Sequence, residues 1–387
     1  MSRSFKVCVL TSVHQAKDVR IFEREARSLV SGGYDVTIVA PHVSDELVSS
    51  IRIRALPRVP GRLHRFTSTV WEAYRAACSE CANVYHFHDP ELIPIALLLK
   101  LRGKRVVYDV HEDVPRDIMM KAWILPILRR PAAMGAAAVH FISAIAFDRV
   151  IAATPVIAAR FPGGKAVVIQ NFPWLESSNG VAPKPYSRRE SLLAYVGGIS
   201  RERGVLEMVR ALALLDAAPG ARLVLAGEFD GSELKAELGR TRGFERVDHR
   251  GWLSRDAVSA LLGTVRAGLV LFHPFQSHVE AQPNKLFEYM AAGLPVIASD
   301  FPLWRTIVED AGCGLLVDPL DPAKIANAIE WILCHPDEAE EMGRRGLAAV
   351  RSKYNWNQES QKLLSLYSGL VDRSFVGEAP RRMEASE

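Results

Sequence analysis

The chain has 387 residues, is 49% hydrophobic and 24% charged, and carries a net charge of +4. That length exceeds the size at which one hydrophobic core stops growing, so two domains are expected, and the composition excludes a disordered or fibrous chain. No apolar run reaches the ~18 residues of a membrane span, and five cysteines with a single Cys78-x-x-Cys81 pair give neither a disulfide framework nor a zinc-ligand pattern.

The charge is uneven. Residues 1–190 carry 26 Lys and Arg against 17 Asp and Glu, whereas residues 191–387 carry a net −5. A basic first half attracts an anionic partner such as a lipid headgroup or a lipid diphosphate. Nucleic acid is not the expected partner, because the arginines are not interleaved with stacking aromatics. The opening Met1-Ser-Arg-Ser-Phe-Lys6 lacks the apolar stretch of a signal peptide. A cytoplasmic location is expected, at the inner face of the cell membrane.

In chain order, Phe5–Leu10 reads as a strand, and residues 18–30 as a helix with Val19, Phe22, Ala26, Leu29 and Val30 on one face. Gly32-Gly33 stops it. Tyr34–Ala40, Asn83–His88 and Arg105–Val110 read as strands, and Leu92–Leu99 as a helix. Val139–Ser143, Arg149–Ala152 and Ala166–Gln170 continue the strand series. Strands separated by helical stretches imply βαβ units and a parallel sheet. Residues 172–190 hold Pro173, Gly180, Pro183 and Pro185 without periodicity and read as a linker. A second alternating series starts at Leu192–Val196 and runs to a helix at Trp356–Val371, followed by a polar tail expected to be disordered. The expected architecture is α/β, with two Rossmann-like doubly wound domains. The boundaries are 1–172, a linker at 173–190, 191–353, a crossover helix at 354–373 that returns to the first domain, and the tail at 374–387. Ligands of such sheets bind at the carboxyl ends of the strands, and two such domains form a cleft.

The most specific stretch is Glu280-Ala-Gln-Pro-Asn-Lys285-Leu-Phe-Glu288, closed by Gly293-Leu-Pro295. Carboxylates accept hydrogen bonds from sugar hydroxyls, and an ammonium pairs with a diphosphate. A helix start beside them adds a positive dipole end.

This stretch resembles the E-x7-E motif of the family 4 retaining glycosyltransferases, which have the GT-B fold and act in bacterial surface polysaccharide assembly. Tyr195-Val-Gly-Gly-Ile-Ser-Arg-Glu-Arg203-Gly204, Val168-Ile-Gln-Asn171, Tyr108-Asp-Val-His111 and Ala311–Pro319 agree with it in order along the chain. The resemblance implies transfer of a sugar from a nucleotide-diphosphate sugar to a glycan or lipid-linked acceptor, with retention of configuration. It further implies that Glu288 binds the ribose hydroxyls, that Glu280 contacts the transferred sugar, and that Lys285 and Arg203 neutralise the diphosphate. Leu286 and the Gly197 and Gly198 turn complete the donor side. His111 contacts the donor sugar, and His88, Asp89, Glu112 and Asp113 line the acceptor side.

Two places depart from the family pattern. Gly198 stands where many members carry an arginine, which leaves the Gly197 and Gly198 amides or Arg201 to meet the phosphate. The first loop, Ser12 to Arg20, lacks the family's glycine pair, which leaves side-chain contact from His14, Lys17 or Arg20. No Asp-x-Asp occurs, so neither metal nor other cofactor is expected. Lys121–Arg130 and Arg52–Arg65 mix cations with large apolar residues and suggest peripheral membrane contact through the basic first domain. The rival readings are a sugar-nucleotide epimerase on the same fold and a non-catalytic scaffold protein. A dinucleotide oxidoreductase is weaker, since no strand is followed by Gly-x-Gly-x-x-Gly.

Overall fold

The computed structural model describes residues 5–57, 68–111, 114–120, 124–175 and 184–375. The chain divides into two compact units, Met1–Asn171 together with Trp356–Glu387, and Phe172–Asn355. The expected contacts Glu112 and Asp113, the basic stretches 58–65 and 121–123, and the tail beyond 375 lie outside the described residues.

The first unit is built on an eight-stranded sheet. Its strands are β1 (Lys6–Leu10), β2 (Asp35–Pro41), β3 (Glu46–Val48), β4 (Ile51–Leu56), β5 (Val84–Phe87), β6 (Arg105–Val110), β7 (Arg149–Ala152) and β8 (Ala166–Val168). The order is β3-β4-β2-β1-β5-β6-β7-β8, parallel except for the β3–β4 pair. β5 is buried along its whole length, as a strand covered on both faces requires. The strand order reverses between β1 and β5, where Leu10 lies beside Phe87. Thr11 and His88 therefore leave the sheet together at the point where doubly wound folds place their ligands.

Three elements differ from the sequence expectation. Val139–Ser143 is not a strand but the end of a 21-residue helix, Pro126–Ala146. The alanine-rich stretch before it has the highest helix propensity, and it carries the β-branched run along with it. The helix over residues 19–31 opens as a π-helix, Val19–Ala26, and continues as an α-helix, Arg27–Ser31. Asp18 caps it by accepting from the Arg20 and Ile21 amides at 2.8 and 3.1 Å. Finally, Arg52–Leu56 is part of β4, with Ile51 and Ile53 turned in and Arg52 and Arg54 turned out. Arg52 bonds both oxygens of Asp35 at 2.8 Å, so its charge is answered within the fold.

The second unit carries β9 (Leu192–Val196), β10 (Arg222–Ala226), β11 (Val247–Gly251), β12 (Ala267–Val270), β13 (Val296–Ser299) and β14 (Gly314–Val317). Their order is β11-β10-β9-β12-β13-β14, all parallel. The reversal lies between β9 and β12. The loops after these two strands, Gly197–Arg203 and Leu271–Pro283, hold most of the groups singled out in the sequence.

The Trp356–Phe375 helix belongs to the first unit. Its Trp356 indole donates to Ser28 Oγ at 2.9 Å, and Glu359 accepts from the Gln170 amide at 2.9 Å. Tyr367 is fully buried there.

Candidate active site

In the second unit, four groups meet at the carboxyl end of β9. Lys285 is the second residue of the Asn284–Ala291 helix, whose apolar face is Leu286, Phe287, Tyr289 and Met290. The Lys285 amine is buried and has no hydrogen-bond partner among the described residues. It lies 3.6 Å from the centre of the Tyr195 ring and 5.2 Å from that of Phe272. Burial, and next the Arg203 charge, hold its pKa well below the usual lysine value, with Glu288 acting in the other direction.

Gly197 has φ +116° and sits directly against this amine, since a Cβ there would lie 3.4 Å from Lys285 Nζ. Arg203 Nη1 donates to the Gly198 carbonyl at 3.1 Å, and the Tyr195 hydroxyl donates to the same oxygen at 2.7 Å. Burial pushes the Tyr195 phenol up to about 12, so it stays neutral as a donor. The Lys285 amine, the Arg203 guanidinium and the positive-φ turn at Gly197 thus form one cradle, in which neither basic group pairs with a carboxylate among the described residues. A buried amine without a partner is costly unless an anion completes it.

Gly197 does not offer its own amide, which donates to Ala226 O at 2.8 Å. The Gly198 amide, on an exposed residue, has no partner among the described residues. Arg201 does not substitute for the family's arginine either. It is engaged with Glu237, 3.0 Å from Nη1 to Oε1.

Glu288 is half-buried on the second turn of the Asn284–Ala291 helix, one turn beyond Lys285. Leu286 is buried and packs in the core behind them. Glu280 ends the short Gln276–Val279 helix and accepts from Gln276 Nε2 at 2.8 Å. The loop between the two glutamates is pinned by the Trp304 indole, which donates to Ala281 O at 2.7 Å. His273, at the start of the Leu271–Pro283 loop, lies 3.0 Å from Glu207. This pair, like the Tyr195 and Phe272 rings, was not singled out in the sequence.

In the first unit, His111 follows β6 and remains partly exposed. Its Nε2 lies 2.9 Å from His88 Nδ1 and 3.3 Å from Asp109 Oδ2. His14, from the first loop, stacks on His111 with ring centres 5.5 Å apart. Asp109 is fully buried and held by Arg20, Nε to Oδ2 at 2.9 Å and Nη2 to Oδ1 at 3.0 Å. Burial works against the Asp109 carboxylate, but Arg20 and then His111 outweigh it and keep it well below the usual range. Burial, and next Asp109, push the Glu25 carboxyl well above its range. Burial lowers both His86 and His88, well below the normal value for His86.

Four expected contacts, Asp89, His88, Arg20 and Lys17, are corrected here. Asp89 does not line an acceptor surface. It is buried and accepts from Thr11 Oγ1 and the Ser12 amide, both at 2.7 Å, and from the Val13 amide at 3.3 Å, so it shapes the first loop. The His88 side chain is wholly buried and supports His111 instead of facing solvent. Arg20 is sealed between Asp109 and Glu25, and Lys17 pairs with Glu46 at 3.0 Å, which leaves only His14 of the first loop beside His111. Glu25, His86, His88 and Asp109 bring one ligand atom each within 4.8 Å of one another, a set that suits a cation. The Arg20 guanidinium already supplies positive charge to both carboxylates of that set.

The fold is that of a two-unit α/β protein, and the cradle sets two basic side chains, Lys285 and Arg203, at the end of a parallel strand. Comparison with known proteins agrees. Residues 182–348 match the family described as glycosyl transferases group 1, and residues 19–171 match the glycosyl transferase 4-like domain. The chain therefore belongs to the family 4 glycosyltransferases of GT-B fold. It is 30% identical over 182 residues to a D-inositol 3-phosphate glycosyltransferase of Segniliparus rotundus, covering 46% of this chain and 40% of that one. It is 26% identical over 318 residues to the GDP-mannose:cellobiosyl-diphosphopolyprenol alpha-mannosyltransferase of Xanthomonas oryzae, covering 78% and 77%. The fold is also that of a sucrose-phosphate synthase from Thermosynechococcus elongatus, with a TM-score of 0.77, 20% identity, and 95% of this chain and 100% of that chain covered.

Proposed function

We propose that this glycosyltransferase moves a sugar from a nucleotide-diphosphate sugar to a glycan or lipid-linked acceptor on the cytoplasmic side of the membrane, with retention of configuration and without a metal ion. The observation that carries the reading is the partnerless, buried Lys285 amine beside Gly197 and Arg203. A diphosphate supplies the countercharge that this cradle lacks. Binding then restores the ammonium and sets two cations where negative charge develops on the leaving group. The Gly198 amide adds a neutral donor. Glu288, one turn along the same helix, accepts from the ribose hydroxyls, and Glu280 accepts from the transferred sugar.

In the first unit, His111 hydrogen-bonds the sugar, with its ring fixed by His88 and Asp109 and flanked by His14. Glu112 and Asp113, which follow it, remain proposed for the acceptor. With Lys285 and Arg203 meeting the diphosphate, the reaction has no need of a divalent cation. No carboxylate of the site is assigned as a covalent nucleophile, so we favour a front-face displacement in which the leaving phosphate takes the acceptor proton. The diphosphopolyprenol in the name of the Xanthomonas relative supports a lipid-linked acceptor.

The test is calorimetry with a panel of nucleoside diphosphates, followed by turnover of the matching sugar nucleotide in EDTA with the product anomer read by NMR. Glu288→Ala abolishes nucleotide binding, whereas Glu280→Ala lowers turnover more than binding. Unchanged affinity in Glu288→Ala, or an inverted product, overturns the assignment. Conversion of the donor in the absence of acceptor points to the epimerase instead.

A further inference from the structure

The loop after β1 spends its backbone donors on its own shape. Asp89 Oδ2 accepts from the Ser12 and Val13 amides, and Thr11 Oγ1 accepts from the His14 amide at 3.0 Å. No run of free amides from Ser12 to His14 is left to cradle a phosphate. The loop presents the His14 ring instead, with its side chain 34% exposed. Each ring nitrogen faces a carboxylate oxygen at or beyond the limit of a hydrogen bond, Nε2 at 3.5 Å from Asp89 Oδ1 and Nδ1 at 3.8 Å from Asp18 Oδ2. The two sides of the ring differ. Asp89 is buried, so the Nε2 side is closed and steadies the ring. Asp18 is 31% exposed, with Oδ1 occupied by the Arg20 and Ile21 amides and Oδ2 turned to His14. An imidazole N–H and a carboxylate oxygen at that separation suit a hydroxyl, which accepts from the one and donates to the other. An anion does not suit the place. Two carboxylates flank the ring, and the cations of the same loop are engaged, Lys17 with Glu46 and Arg20 with Asp109 and Glu25.

We propose that His14 and Asp18 form an acceptor subsite that takes a hydroxyl of a neutral sugar. The inference rests on the donor reading given above, in which His111 holds the transferred sugar. The His14 and His111 rings stack with centres 5.5 Å apart, so a hydroxyl held at His14 lies beside the sugar held at His111. The contact orients the hydroxyl. Its proton still leaves with the departing phosphate, and no further co-reactant is needed. Neutrality applies to the sugar that presents the hydroxyl, since a phosphate on that sugar would meet the Asp18 and Asp89 carboxylates. A diphosphate farther along a lipid-linked acceptor lies outside this subsite.

The test is turnover of the full-length protein with the sugar nucleotide that calorimetry selects. The acceptor probes are octyl glycosides of glucose, galactose, mannose and N-acetylglucosamine, each with its phosphorylated counterpart, and donor hydrolysis is measured in the same reactions. Neutral glycosides are glycosylated, and the phosphorylated ones are poorer acceptors. His14→Ala and Asp18→Asn each raise the KM of the best neutral glycoside and shift the donor from transfer toward hydrolysis by at least about tenfold, the worth of a hydrogen bond to a charged group. Asn at position 18 keeps the helix cap. Unchanged melting and nucleoside diphosphate affinity in both variants separate a lost contact from a lost fold. An unaltered ratio of transfer to hydrolysis in both variants overturns the proposal and leaves the donor reading standing. So does transfer to phosphorylated glycosides alone, or to none of the neutral ones. A wild-type protein that neither binds a nucleoside diphosphate nor hydrolyses a sugar nucleotide overturns the donor reading, and this inference with it.

Discussion

Arg20 and Asp109 form a two-point ion pair sealed inside the first unit, 89 positions apart in sequence, with the side chains 4% and 0% exposed. Around it stand Glu25, His86 and His88, and through Asp109 it reaches the partly exposed His111. A buried pair of this kind adds little net stability but is costly to break from one side. Arg20→Met is therefore expected to destabilise the protein by about 3–5 kcal/mol in urea unfolding, because two buried carboxylates lose the guanidinium they share. Replacing Asp109 by Asn keeps the shape and removes the charge that steadies His111. Its signature is a shift in the pH profile of turnover beyond any change in nucleotide affinity.

The same cluster sets an acid limit on stability. The folded-state pKa values of His86 and His88 are lowered, so the unfolded chain takes up protons that the folded one refuses. Their contribution is present above the free histidine value of about 6.5 and is lost as pH falls through it. Glu25, raised in the folded state, acts in the opposite sense, contributing fully below about 4.3 and less as pH rises. Urea midpoints across this range separate the two. Glu25→Gln makes the loss of stability below pH ~6.5 steeper, and His86→Gln with His88→Gln flattens it.

At the proposed donor site, Lys285 is expected to couple nucleotide binding to proton uptake. Its pKa is depressed in the free protein, and a bound diphosphate is expected to raise it again. Affinity for a nucleoside diphosphate falls as pH rises. Calorimetry in buffers of different ionisation enthalpy registers proton uptake that disappears in Lys285→Met. That variant binds roughly tenfold to a hundredfold more weakly, the worth of a charge-assisted hydrogen bond.

Gly204 allows Arg203 to reach the cradle. It has φ +70°, and a Cβ at this position would lie 1.9 Å from the Leu271 carbonyl oxygen. Gly204→Ala is expected to cost at least about 1–3 kcal/mol and to displace Arg203. Weaker diphosphate binding should therefore accompany a lower melting temperature.

Tyr367→Phe tests how the Trp356–Phe375 helix is held. The phenol lies 2.9 Å from His86 Nδ1, fully buried. Its loss leaves that nitrogen without a partner and costs about 1–3 kcal/mol, measurable as a lower urea midpoint.

Much of the second unit was legible in the sequence, because most of its strands are short apolar runs separated by helical stretches and most of its candidate site groups fall within one stretch, Glu280 to Glu288. Lys285 and Glu288 share a helix face by spacing alone. The first unit hid more. β4 alternates Ile and Arg, the mark of a half-buried strand, but its charge drew the reading toward a membrane surface. The stretch at 139–143 is too short for periodicity to separate strand from helix. Arg20, Glu25, His86 and Asp109 come from three different elements, and no local pattern joins them. A weak signal was present, since His86 and His88, and likewise Asp109 and His111, are spaced two apart and so share a face at the end of a strand.

The path of the chain sets an order of construction. A nascent polypeptide that has left the ribosome through Asn171 has all eight strands of the first sheet but lacks the helix that brings Trp356 to Ser28 and Tyr367 to His86. The first unit must wait, with that flank open, while 184 intervening residues are synthesised and fold on their own. The half made first is therefore the half finished last, and a truncation that removes Trp356–Phe375 damages the first unit while leaving the cradle of the second intact.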